Sequence, residues 1–360
     1  MLSLDEIGLL PSAKPTDIDT RSIVDPFIKD SRNVISENQM LPVFVAPMTS
    51  IVNKNNAAVY EKHGFIPIIP RTDSFEERLN ISSTRWTAFS LEEFVNICEN
   101  IDVSCYPHLY ILVDIANGHI GKLYRYAKSI KEKYDNISLM VGNIAHPVMY
   151  VECCNAGIDY VRVGIGGGSV CSTSVQCGVH ASHVWMIEEI KKLKKEIKGF
   201  KTKVIADGGI NTFDRAIKCL ALGYDYVMMG KMFARTNISC GELRTVIELD
   251  NEKKVYINKN ILESDNINIY GDVKSAYIER KYYGMASEQG QIDISGGANK
   301  NPEGIETWVK IDFEMKEFRE KFEAALRSTM SYLNAKTLFA LPLKSAYAYM
   351  SINEFKSYYK

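Results

Sequence analysis

The sequence predicts an α/β protein folded as a (β/α)8 TIM barrel, and three observations carry that reading. Eight short apolar runs rich in β-branched and aromatic residues recur along the chain without polar alternation, as in parallel strands buried on both faces. Their starts lie 22, 21, 23, 29, 22, 43 and 23 residues apart, mostly the length of one strand plus one helix. Segments with helical periodicity and capping residues fill several of the gaps. An open doubly wound sheet is the competing architecture, and eight regular units favour closure.

In order, the strands begin at Val43 (VFVAPM), Phe65 (FIPIIP), Trp86 (WTAF), Leu109 (LYILVDIA), Ser138 (SLMVGNIA), Tyr160 (YVRVG), Lys203 (KVIAD) and Tyr226 (YVMMG). Ser90 with Glu93 forms a capping box that opens LEEFVNICE after the third strand. Leu123, Ala127, Ile130 and Tyr134 share one helical face, and Ile187, Ile190, Leu193 and Ile197 share another that stops at Gly199. Pro147 and Gly157 bracket PVMYVECCNA, and Gly223 closes FDRAIKCLAL.

Two places break the rhythm. A glycine-rich loop, 164–180, follows the sixth strand, and about 80 residues (231–310) of mixed strand-like and glycine-rich character follow the eighth. Both leave the C-terminal ends of barrel strands, where such folds do their chemistry. Residues 231–310 read as a flap and lid insertion, within which 237–280, with YINKNILESDNINIY, reads as an extended β-ribbon suited to oligomer contacts. The chain is thus read as one catalytic domain, 1–360, with an N-terminal extension (1–40), the 231–310 insertion and a C-terminal tail (336–360).

Composition bounds the function. With 43 Lys and Arg against 44 Asp and Glu, the formal net charge of −1 argues against a nucleic-acid partner. No stretch approaches the roughly 20 apolar residues of a membrane helix, and the acidic first thirty residues lack a signal-peptide core. A soluble, cytoplasmic protein is expected. The 8 cysteines show no paired zinc spacing and read mostly as reduced, buried small hydrophobes.

Strand ends on the functional face supply Met48, Arg71, Asp114, Asn143, Asp207 and Gly230. Gly208 and Gly209 after the seventh strand, with Gly230 and Lys231 after the eighth, stand where barrels bind phosphate through backbone N–H groups. Asp207 can accept hydrogen bonds from ribose hydroxyls, or simply cap the following helix. In GIGGGSVCST, Gly164, Gly166, Gly167 and Gly168 permit close backbone approach or carbonyl coordination of a monovalent cation, Ser169 suits a phosphate, and Cys171 suits a nucleophile.

GIGGGSVCST, VIADGGI, YVMMGKMFA, KYYGMAS and NPEGIE, with VFVAPM, VDIANGH and MVGNIA, resemble in order and spacing the IMP dehydrogenase/GMP reductase family of purine-nucleotide oxidoreductases. The resemblance covers roughly residues 40–335. It implies a homotetrameric barrel in which a cysteine attacks C2 of the purine while a nicotinamide exchanges hydride with that carbon. By position it makes Cys171 the nucleophile and gives the 5′-phosphate to Ser169, Gly208, Gly209, Gly230, Lys231 and one of Tyr282 or Tyr283. It gives the ribose to Asp207 and the base to Met285, Ala286 and Glu303, with Met48 also among the substrate-binding residues. Asp114, Asn143 and Arg71 fall on the nicotinamide side, and a potassium ion would lie on carbonyls of Gly166, Gly168 and Cys171.

Within the family, dehydrogenases hydrolyse the cysteine adduct with an arginine–tyrosine pair on a flap, whereas reductases expel ammonia and need none. The stretch after GMAS, EQGQIDISGGANKNPEG, contains neither arginine nor tyrosine. Glu288 and Thr173 match a reductase glutamate–threonine pair able to relay a proton to the leaving amine. ANG at 116–118 and CGEL at 240–243 also look like reductases, and the interval from Phe65 to Trp86 has no room for a regulatory CBS-pair domain. The resemblance therefore implies NADPH-dependent reduction of GMP to IMP, with NADH as the other donor. IMP dehydrogenation with NAD and a non-catalytic purine-nucleotide binder are the alternatives. The chain departs from the family at Pro70-Arg71, Thr49, Gly167, Ser174 and Lys231, as a divergent member would.

Overall fold

The computed structural model describes residues 2–29, 39–170, 172–197, 199–250, 253–258, 272–297 and 302–351. Its centre is a ring of eight parallel strands: β2 (Val43–Val45), β3 (Ile66–Pro67), β4 (Thr87–Phe89), β5 (Leu109–Asp114), β6 (Ile137–Ile144), β7 (Tyr160–Val163), β8 (Lys203–Asp207) and β9 (Tyr226–Met229). Hydrogen-bonded neighbours run β3-β2-β9-β8-β7-β6-β5-β4, and a parallel bridge from Ile69 to Thr87 joins the two ends. All eight strands coincide with the apolar runs.

Period-two alternation gives each strand an inner and an outer face. Phe44, Trp86, Tyr160, Tyr226 and Met228 fill the barrel, where the rings of Phe44, Trp86 and Tyr160 meet edge to face. Val43, Val45, Val161, Val163, Val204 and Ala206 point outward beneath the helices. The same parity carries Asp114, Arg162 and Asp207 inward, one step beyond Leu112, Tyr160 and Ile205.

The helices form for the local reasons expected. Ser90 and Glu93 make both halves of the capping box on helix Leu91–Asn100, and Glu93 also pairs with Arg78 of helix Phe75–Ile81. Gly223 ends helix Phe213–Leu222 with φ +115°, a left-handed conformation that favours glycine. The eighth barrel helix is Met315–Tyr332, whose Phe318, Phe322, Leu326 and Met330 are buried at i, i+4 spacing. The 231–310 region therefore lies between the eighth strand and its helix.

Within that region β10 (Leu243–Leu249), β11 (Lys254–Asn258), β12 (Val273–Tyr283) and β13 (Glu306–Lys310) form an antiparallel sheet in the order β11-β10-β12-β13. Helix Glu288–Ser295 separates β12 from β13. Parts of the expected ribbon and flap, 259–271 and 298–301, lie outside the described residues. β1 (Ile7–Leu10) pairs antiparallel with β14 (Ala346–Tyr349), joining the two terminal extensions.

One expectation is corrected here. The seven described cysteines are free, but only Cys153 and Cys219 are buried, and Cys105 and Cys177 are exposed. Scattered positions alone do not reveal which helix face a thiol occupies. Among the described residues no helix is long and apolar enough to cross a membrane.

Candidate active site

A cavity of about 400 Å³ opens at the C-terminal ends of the barrel strands. Met48, Arg71, Asp114 and Asn143 line it from the β2, β3, β5 and β6 ends. Gly166, Gly168 and Ser169 line it from the glycine-rich loop; Asp207, Gly208 and Gly209 from β8; Gly230 and Lys231 from β9. The insertion adds Tyr282, Met285, Ala286 and Glu303. Residues more than 250 positions apart in the chain thus share one wall.

Two glycine-lined turns face each other. A Cβ on Gly164, whose φ is +131°, would stand 2.1 Å from the carbonyl oxygen of Asp207, so only glycine lets the loop lie against β8. At Gly230 a Cβ would fall 2.8 Å from the Tyr282 hydroxyl and 2.9 Å from the Met48 sulfur. Tyr282 reaches Ser169 and the Lys231 backbone; burial raises its hydroxyl pKa, and Asp207 adds to the rise.

The floor is an ion chain absent from the sequence expectations. Arg162 Nη1 donates to Asp114 Oδ1 at 2.6 Å, while its Nε and Nη2 donate to Asp207 Oδ2 at 3.1 and 2.9 Å. Asn143 Nδ2 also donates to Asp207 Oδ2, at 2.9 Å, and to Gly164 O, at 2.6 Å. All three donors converge on one Asp207 oxygen, leaving Oδ1 without a donor among the described residues. Burial opposes the Arg162 charge, but Asp207 and Asp114 outweigh it and raise the guanidinium pKa. Arg71 stands 4.0 Å from Asp114 Oδ2, and its buried Nε has no acceptor among the described residues.

The remaining expected residues divide. Cys171 lies outside the described residues, as does the Thr173 side chain; Thr173 begins helix Thr173–Cys177. The flanks of position 171 are fixed by backbone bonds, Ser172 N–H to Glu303 O at 3.1 Å and Ile305 N–H to Val170 O at 3.0 Å. Ser174 donates to Gly166 O at 3.0 Å, closing the loop on itself. Glu288 is exposed at the start of helix Glu288–Ser295 and is not part of the cavity wall.

Tyr283 points away from the cavity, as alternation with Tyr282 requires, and its hydroxyl donates to Asp293 Oδ2 at 2.8 Å. Thr49 donates to the same oxygen at 2.7 Å, and Gln289 to Oδ1 at 2.9 Å. Asp293 was not singled out from the sequence. Arg162 carries a signal in the sequence: a lone arginine inside YVRVG, two residues after an inward aromatic.

Residues 109–356, more than half of the chain, match the family described as IMP dehydrogenase / GMP reductase domain. An inosine-5'-monophosphate dehydrogenase of Borreliella burgdorferi is 24% identical over 407 aligned positions, covering 99% of this chain and 95% of that protein. GMP reductases of Helicobacter pylori, 27% identical, and of Staphylococcus epidermidis, 28% identical, each cover 84% of this chain and are themselves 83% covered. The chain belongs to the IMP dehydrogenase/GMP reductase family of purine-nucleotide oxidoreductases, which act on IMP or GMP with a nicotinamide cofactor.

Proposed function

We propose that the protein is a GMP reductase, converting GMP, NADPH and two protons to IMP, ammonium and NADP. The observation that carries the reading is Asp207, whose Oδ1 is left without a protein donor beside a glycine-lined turn, an arrangement suited to a ribose with its 5′-phosphate alongside. The choice of reductase over dehydrogenase rests on 288–304, which holds neither arginine nor tyrosine, and on the reductases among the relatives.

In this reading the Cys171 thiolate forms a bond to purine C2. The C2–N bond then breaks as Thr173, backed by Glu288, passes a proton to the departing amine. A reduced nicotinamide, when bound, supplies the hydride that C2 receives, after which the C2–S bond breaks and returns the thiolate. Ser169, Gly208, Gly209, Gly230, Lys231 and Tyr282 hold the phosphate, and Met48, Met285, Ala286 and Glu303 hold the base. The buried, unsatisfied Nε of Arg71 beside Asp114 and Asn143 suits a carboxamide oxygen of the nicotinamide. Carbonyls of Gly166, Gly168 and Cys171 are the place for a potassium ion, and a tetramer is the assembly.

The test is a nicotinamide absorbance assay in potassium buffer with GMP and NADPH, and separately with IMP and NAD. Loss of NADPH signal with GMP alone is expected, and Cys171→Ala abolishes it while GMP still binds. Formation of NADH from IMP would make the protein a dehydrogenase instead. GMP-dependent thermal stabilisation without any turnover would make it a non-catalytic binder.

A further inference from the structure

The Gly208–Gly209 turn is gripped from outside the cavity by two side chains to which the reading above gives no role. His183 Nε2 lies 2.8 Å from Gly208 O, and Arg215 Nη1 lies 2.9 Å from Gly209 O. A carbonyl only accepts, so Nε2 carries the His183 proton and Nδ1 faces the Tyr224 hydroxyl at 3.2 Å. Burial holds the His183 pKa below the ordinary histidine value despite the Gly208 carbonyl, consistent with a neutral ring. Arg215 is itself clamped by Asp5, Nε to Oδ1 at 2.8 Å and Nη2 to Oδ2 at 2.5 Å.

Peptide geometry gives these contacts a consequence. In a trans peptide the C=O and N–H point in opposite directions. Holding Gly208 O outward turns the Gly209 N–H toward the cavity, and holding Gly209 O outward does the same for Ile210 N–H. Gly209 and Ile210 line the cavity, and neither N–H has an acceptor among the described residues. The two glycines adopt φ +90° and +74°, and glycine turns without such ties sample other conformations readily.

We propose that His183 and Arg215, the latter oriented by Asp5 of the N-terminal extension, are positioning residues that aim two backbone N–H groups at the anionic group of the ligand. The proposal rests on the cavity being a purine-nucleotide site. It adds that a segment over 200 residues away in sequence helps to build the anion subsite. No second-site ligand is involved: the affected chemistry is recognition of a phosphate by ordered peptide N–H groups.

The test is calorimetric titration of the intact protein with GMP, inorganic phosphate and guanosine. His183→Phe and Arg215→Met are expected to weaken GMP and inorganic phosphate about tenfold, the loss of one well-placed hydrogen bond, while guanosine changes less than about twofold. His183→Gln, which keeps a donor, restores GMP affinity, and Asp5→Asn gives a weaker loss of the same kind. Should His183→Phe fail to fold, Asp5→Asn and His183→Gln carry the test. Equal weakening of GMP and guanosine, unchanged GMP affinity in Asp5→Asn and Arg215→Met, or a wild type that binds neither GMP nor phosphate would each overturn the proposal. Tight GMP binding without NADPH oxidation sinks the reductase reading and leaves this one standing.

Discussion

Arg162 is the residue on which the cavity floor depends. It is 8% exposed, and its guanidinium bridges Asp114 to Asp207, so its charge is desolvated and paired at once. Removing one member of a buried ion pair typically costs about 3–5 kcal/mol, because the partner stays buried and uncompensated. Arg162→Met, which keeps most of the bulk, is expected to lower stability in urea by about that much. If the protein is a GMP reductase, the substitution also abolishes turnover, since Asp207 would no longer be held with Oδ2 consumed and Oδ1 presented. Arg162→Lys restores a charge but not the fork that reaches both carboxylates, so activity stays low while part of the stability returns. An unchanged urea midpoint in Arg162→Met would refute the network. Gly142 belongs to the same construction: a Cβ there would stand 2.5 Å from Arg162 Cβ.

At the scale of an element, helix Glu288–Ser295 is capped by buried Ser287, which accepts from Gly290 N–H, and is fastened by Asp293. One Asp293 oxygen takes Thr49 from the segment after β2 and Tyr283 from β12, so a single carboxylate ties the helix to the barrel rim and to the inserted sheet. Hydrogen bonds to a charged acceptor contribute about 1.5–3 kcal/mol each. Asp293→Asn keeps the shape and removes the charge. If this helix carries Glu288 to the leaving amine, the substitution lowers kcat about tenfold while KM for GMP stays within about twofold, because a loosened helix opens locally without unfolding the barrel. Steady-state kinetics beside a urea titration decides the point: a rise in KM with constant kcat would assign the helix to binding instead.

At the scale of the molecule, the eighth barrel helix packs near the seam where β2 pairs with β9, and in the chain it follows the inserted sheet. Phe318 is fully buried and meets Phe65 beside β3, Phe233 after β9, and Phe213 on the neighbouring helix. Its ring fills the junction between the start and end of the barrel. Phe318→Ala is expected to cost about 3–5 kcal/mol, read as an earlier urea midpoint. A loss below about 1 kcal/mol would show that this helix is not part of the cooperative core.

What the sequence by itself determined is the barrel: eight apolar runs of the right length, spaced by helical segments, admit few other arrangements, and the observed strands fall on every one. It also determined most of the cavity wall, because strand C-termini converge in this fold and Met48, Arg71, Asp114, Asn143, Asp207 and Gly230 occupy them. Only the tertiary structure decided which oxygen of Asp207 is spent, that Tyr282 and not Tyr283 faces the cavity, and that Asp5, Arg215 and His183 stand behind the glycine turn. Those facts depend on side-chain direction and on contacts across as many as 210 positions, as in Arg162 with Asp207 and Asp5 with Arg215. Local periodicity records which face a residue occupies; it holds no record of which distant residue occupies the other side.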